Sequence, residues 1–221
     1  MILIRKIRTI YKILLQNRRR RKMRRKIKNR NFSIISNNCW GGGVYEELGL
    51  PYLTPTIGLF LHGPCYIKFI KNLNYYFGCE LIFTATSKYQ ATNTKRDNTD
   101  LKYPIGKLAD IEIHFLHYHS EDEAFDKWNR RKARVNFDNL FVELGEIDLV
   151  DKAIMEDFNS LEFPNKVLFS VREDKNLNSL VFLRERKGFT DVGDIYTHKT
   201  VWMKEFDVVE WLNKGLVKNK L

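Results

Sequence analysis

The chain has 221 residues, 43% of them hydrophobic and 13% aromatic, enough for one domain with a sizeable core. Its net charge of +11 is concentrated at one end: residues 1–30 hold fourteen of the 38 Lys and Arg and no Asp or Glu, which leaves 24 basic against 27 acidic residues, net −3, in the remainder. A mildly acidic body decides against reading it as a specific nucleic-acid binder from its overall charge, and leaves only the basic arm for such a partner. Three cysteines, an odd number without metal-type spacing, fit a reducing cytoplasm better than a disulfide framework, and no apolar run reaches the ~18 residues of a membrane span.

In chain order, residues 1–30 are expected to be a basic amphipathic segment ahead of a single α/β domain over 31–221. Leu3, Ile7, Ile10 and Leu14 share one helical face, and the polybasic run Arg18–Lys28 follows. That pattern suits a helix lying on an anionic membrane surface, here the inner face of the cell membrane. A disordered arm that binds any polyanion is the plainer alternative.

Phe32–Ser36 reads as a first buried strand that empties into Asn37-Asn38-Cys39-Trp40-Gly41-Gly42-Gly43. A strand opening into a glycine-rich turn can offer backbone N–H groups to phosphate, and the two asparagine amides suit sugar hydroxyls. The wording matches neither a dinucleotide fingerprint nor a P-loop, and a tight structural turn explains it equally well. Cys39 is a candidate nucleophile or a small core residue. Ile57–Leu61 reads as a strand, Cys65–Leu73 as a helix, Glu80–Thr84 as a strand and Lys88–Lys102 as an exposed loop.

The stretch Asp110–Asn139 concentrates the chemistry. Its opening alternates like a strand, with Ile111, Ile113, Phe115, His117 and His119 on one face and Glu112, His114, Leu116 and Tyr118 on the other. Ser120 and Glu123 form a capping box that starts a helix running to about Val135. Ala124, Trp128 and Val135 share one arc of that helix, and Arg131 projects into it. A basic group on an apolar stripe must snorkel, pair with a carboxylate such as Glu112, or face a bound anion. His117 and His119, two apart on a strand, are a weak pair of zinc ligands that lacks an evident third. Beyond the helix, Asn139–Leu144, Val167–Val171 and Leu180–Leu183 read as strands, with helices over Ile147–Leu161 and Glu205–Lys214. Strands alternating with helices define the fold class: a three-layer α/β sheet domain with helices on both faces.

The wording NNCWGG…YEELGLPYLTPTIGLF, followed by YPIGKLADIEIHFLHYHSEDEAFDKWNRRKARVNFDNLFV, resembles the bacterial DUF1919 family from about Phe32 to Leu212. The resemblance leaves the basic amino-terminal segment outside. It implies an α/β fold and a role in exopolysaccharide or surface-glycan biosynthesis, without a reaction or catalytic residues to carry over.

The expectation is therefore a cytoplasmic, peripheral-membrane transferase of glycosyltransferase type, acting on a nucleotide-linked or lipid-linked sugar. In that reading Asn37, Asn38, Trp40, Gly41 and Gly42 hold the sugar or diphosphate, with Arg131, Arg134, Asn136 and Asn139 as further ligand contacts. His114, His117 and Glu112 are the catalytic candidates. The cofactor is unknown. A divalent cation is admitted at Asp110-Ile111-Glu112, a distant echo of the acidic metal-binding pair of many glycosyltransferases. The competing expectation is a non-catalytic glycan-binding or assembly module that stacks Trp40, Tyr45 and Tyr52 on sugar rings.

Overall fold

The structure, a computed structural model, describes residues 2–99 and 102–215, and the side chains of all of these except 2–8 and 12. Four parallel strands form the central sheet in the order β1 (Ser33–Ser36), β5 (Leu140–Gly145), β6 (Lys166–Ser170) and β7 (Leu180–Phe182). Successive side chains alternate between its two faces, as the pleat requires. Ile35, Val142, Leu144 and Leu168 enter one core with Tyr66 and Phe69 of α3 (Gly63–Lys71) and Phe158 of α7 (Lys152–Ser160). Ile34, Phe141, Val167 and Phe169 enter the other. There they meet Trp40 and Val44 of α2 (Trp40–Leu48), Trp202 of α8 (Thr200–Met203), and Trp211 and Leu212 of α9 (Val208–Lys214). The three-layer α/β architecture with helices on both faces is what the sequence predicts.

A second, antiparallel sheet joins β2 (Ile82–Thr84), β3 (Ile105–Leu108) and β4 (Ile111–His114). The expected strand over Ile57–Leu61 is instead the seam between the sheets. Phe60 and His114 exchange both backbone hydrogen bonds at 2.9 Å, and Leu61 N donates to Asn37 O at the end of β1. The polar stretch 88–102 is not all loop, because Gln90–Asp97 forms α5. The short α4 (Leu73–Gly78) follows α3.

α6 (Glu121–Lys132) begins at the expected capping box. Ser120 accepts from Glu123 N, and the Glu123 carboxylate accepts from His119 N. Ala124 and Trp128 are buried, whereas Phe125 stays exposed.

The basic segment is a helix, α1 (Ile2–Lys26), whose carboxyl half is tied to the body. Arg19 and Arg20 bond the fully buried Glu47 carboxylate at 2.8 and 3.0 Å, and Arg24 donates to the carbonyls of Glu46 and Glu47 at the end of α2. Ile27 and Asn29 are buried beyond it. Ile10 and Leu14 of the expected apolar face are exposed, together with Tyr11, Ile13 and Leu15. Leu3 and Ile7 fall outside the side chains described. Among the described residues no helix is long and apolar enough to cross a membrane.

Candidate functional site

Parallel strands end on a common edge, and the loops leaving β1 and β5 there frame a cleft of two adjoining chambers. The larger measures ≈ 600 Å³ and is walled by Phe60, His62, Tyr103, Asp148 and Lys95, among others. The smaller, ≈ 240 Å³, holds Tyr52, Tyr118, Lys127 and Arg131. Cys39, His117 and Tyr196 line both.

Arg131 is the feature of the small chamber that the helical arc anticipates. It does not reach Glu112. Its Nη1 donates to the Tyr118 hydroxyl at 2.6 Å, and its guanidinium lies 5.2 Å from the centre of the Tyr52 ring. The Tyr118 hydroxyl in turn donates to Ile57 O at 2.6 Å. Burial pushes the Tyr118 pKa up, and Arg131 only partly offsets that, so the phenol stays protonated. Among the described residues no carboxylate lies within 4 Å of the guanidinium, so most of its five donors remain available. Lys127 beside it is paired with Glu123.

His117 is exposed at the junction of the chambers, held by its backbone N–H on Gly58 O at 2.9 Å. β4 ends at His114, so His117 and His119 do not share a strand, and no three His, Cys, Asp or Glu are grouped for a metal among the described residues. Asp148 was missed by the sequence reading. Two left-handed residues, Asp148 at φ 53° and Leu149 at φ 66°, turn the chain sharply just past β5. The turn sets the Asp148 carboxyl against the large chamber, where burial pushes its pKa up to about 6 despite nearby Lys95. The Asp148 carbonyl accepts from Gly63 N at 2.8 Å and faces His62 Nδ1 at 3.4 Å. His62 and Thr92 share a hydrogen bond at 2.9 Å, and burial lowers the His62 pKa.

Most of the other expected site residues are structural. His114 has no exposed surface, sits parallel to the Phe60 ring at 4.5 Å, and is held neutral because burial brings its pKa down to about 3. Glu112 is buried and accepts from Ser87 Oγ and Lys88 N, so neither it nor His114 can meet a substrate. Asp110 at the hairpin is exposed and bound by Lys68 and Tyr76, so Asp110 and Glu112 form no metal pair.

Asn37 is buried and clips β1 to β5, donating to Gly145 O and accepting from Gly145 N. Asn38 lines the large chamber but spends its amide on Glu143 and Asn37 and its carbonyl on Trp40 N. The glycine run is the first turns of α2, and packing explains it. A Cβ on Gly41 would sit 2.6 Å from Ser36 Oγ, and one on Gly43 would sit 2.9 Å from the Tyr196 ring. Gly42 alone reaches the small chamber. Trp40 and Tyr45 are core residues, which removes them from any sugar platform and leaves Tyr52.

Arg134 is exposed and away from both chambers. Asn136 and Asn139 precede β5, at the opposite edge of the sheet, where they bond Asn31 and Asn29. Cys39 lines both chambers, but burial and the carboxylates of Asp194 and Asp148 push its thiol up to about 12, so it is no thiolate nucleophile.

The fold and cleft define an α/β protein with a cleft at the carboxyl edge of a parallel sheet. The chain belongs to the DUF1919 family, described as a domain of unknown function, which matches residues 10–213 and therefore reaches into the basic helix. It is 33% identical over 197 residues to an uncharacterized protein of Haemophilus influenzae, covering 87% of this chain and 89% of that one.

Proposed function

We propose that the chain is a glycosyltransferase-like transferase of exopolysaccharide or surface-glycan assembly that takes a sugar from a phosphate-bearing carrier. The observation that carries this reading is Arg131, a guanidinium braced by two tyrosines inside a cleft with no carboxylate within 4 Å among the described residues. Such a fork suits the paired oxygens of a phosphate and stabilises the negative charge that grows on it as the glycosidic C–O bond breaks. His117, exposed where the chambers meet, takes the proton from the acceptor hydroxyl as the new C–O bond forms, and returns it to solvent.

The partly docked α1 supports a peripheral site of action on the cytoplasmic face of the membrane. Its exposed Ile10, Ile13 and Leu14, followed by arginines not used on Glu47, suit an anionic lipid surface. That surface is where lipid-linked acceptors are displayed.

The test is turnover with a panel of nucleotide sugars and lipid-linked sugars in the presence of an acceptor extract. Sugar transfer that falls at least tenfold in Arg131→Ala and His117→Ala, with both variants folded, is the expected result. Saturable glycan binding without turnover in any combination would reassign the cleft to a binding module.

A further inference from the structure

The two chambers differ in chemistry, and the difference bears on which carrier the protein uses. The small chamber sets Arg131 among Tyr52, Tyr118 and Tyr196, and the one carboxylate on its wall, Glu46, is bonded to Tyr52 and Tyr196 and paired with Lys199. The large one has an aromatic wall of Phe60 and Tyr103, and Phe60 is braced at a fixed angle against buried His114. Two carboxyl groups also line the large chamber: that of Asp194 is bonded by Thr197 N, whereas that of Asp148 takes no hydrogen bond or ion pair among the described residues. A polyprenyl carrier would need neither a free carboxylate nor so small an enclosure. A bare sugar would leave the aromatic wall without a planar partner.

Resting on the reading of Arg131 as the phosphate ligand, we infer that the large chamber binds the nucleoside of a nucleoside-diphosphate donor, with the base against Phe60 and the ribose hydroxyls on Asp148. An aromatic face offers stacking to any base, and a carboxylate beyond the end of the strand next to β1 is well placed for a ribose diol. The volume of ≈ 600 Å³ falls within the ~300–1,000 Å³ of pockets that bury such ligands. The diphosphate then lies along His117 and Tyr196, which line both chambers, toward Arg131.

Calorimetric titration of the full chain with inorganic pyrophosphate, and with uridine, adenosine and guanosine diphosphates, tests the assignment. At least one nucleoside diphosphate is expected to bind ten or more times (~10-fold) tighter than pyrophosphate. Phe60→Leu, which keeps bulk but removes the ring, is expected to erase that gain while pyrophosphate affinity holds. Asp148→Asn, tolerated at a left-handed position, is expected to erase the preference for ribose over 2′-deoxyribose diphosphates. Equal affinity for pyrophosphate and every nucleoside diphosphate would overturn the inference and leave the phosphate reading intact. So would a gain unaffected by both variants. Nucleoside diphosphates that bind with Phe60 dependence but ignore Arg131→Ala would uphold the chamber and sink the phosphate reading instead.

Discussion

Arg131 and Tyr118 form a relay from solvent to backbone: the guanidinium donates to the phenol at 2.6 Å, and the phenol donates to Ile57 O at the same distance. The arginine is thereby aimed without being neutralised. Arg131→Ala is expected to remove phosphate affinity while costing only about 1 kcal/mol of stability, since one hydrogen bond to a still-bonded phenol is lost. Arg131→Lys, a point charge without the fork, should recover part of the binding and little of the turnover. Titration with pyrophosphate and a thermal melt read the two effects separately. A melt that collapses in the alanine variant would make Arg131 a structural residue.

The two histidines His117 and His114 should behave oppositely. Replacing exposed His117 by alanine is expected to lower turnover by roughly 100-fold with the melting temperature unchanged. His114→Leu should leave turnover within a few-fold and alter acid stability. Buried His114 stays neutral down to about pH 3, whereas in the unfolded chain it takes a proton below its ordinary value of 6.5. Stability therefore falls as pH drops through 6.5, and the leucine variant should show a flatter decline over that window. An unchanged slope would remove His114 from the acid response.

Glu143 gives the reverse signature. It is buried in β5, accepts from Asn38 at 3.3 Å, and burial pushes its pKa up to about 8. The folded chain holds this proton where the unfolded chain, with a carboxyl near 4.5, has released it. Stability thus declines as pH rises between about 4.5 and 8. Glu143→Gln should abolish that decline and exceed the parent chain in stability at pH 8, by on the order of 1 kcal/mol or more. Denaturant titrations at pH 5.5 and 8 would check it, and a variant less stable at both pH values would refute it.

Truncations separate the halves of α1. Removing residues 1–15 should abolish flotation with anionic liposomes and leave the melt unchanged. Removing 1–30 takes away Arg19, Arg20 and Arg24, whose first two side chains share Glu47 with Lys199, together with buried Ile27 and Asn29. Burial alone would raise the Glu47 pKa, but its hydrogen bonds to Arg20, Arg19 and Lys199 outweigh that and bring it to about 2. Stripping two of three cations from that carboxylate should cost roughly 3 kcal/mol and give an unstable or insoluble chain. Flotation that survives the shorter deletion would reject the membrane role.

What was legible in the sequence had local causes. The capping box at Ser120 and Glu123, and the short apolar runs Phe32–Ser36 and Asn139–Leu144 that become β1 and β5, report local rules that neighbours do not override. The glycine run misleads because its cause is tertiary: Ser36 and Tyr196 crowd α2 so closely that helix geometry is kept at the expense of helix propensity. Glu112 and His114 mislead because alternation marks the polar face of a strand as open. Here Ser87, Lys88 and Phe60 cover it. Asp148 escaped notice because a left-handed pair of Asp and Leu carries no glycine or asparagine flag. Arg131 was legible as a charge out of place.

The one-pair bridge between Phe60 and His114 also bears on motion. The segment that carries it reaches the parallel sheet through Leu61 N on Asn37 O and the antiparallel side also through His117 N on Gly58 O, so the boundary can widen by giving up a few backbone hydrogen bonds without shortening either ladder. Phe60 is at once that rung and a wall of the large chamber. Whatever presses on its ring therefore pushes on the join between the two sheets, which couples occupancy of the chamber to the angle between them.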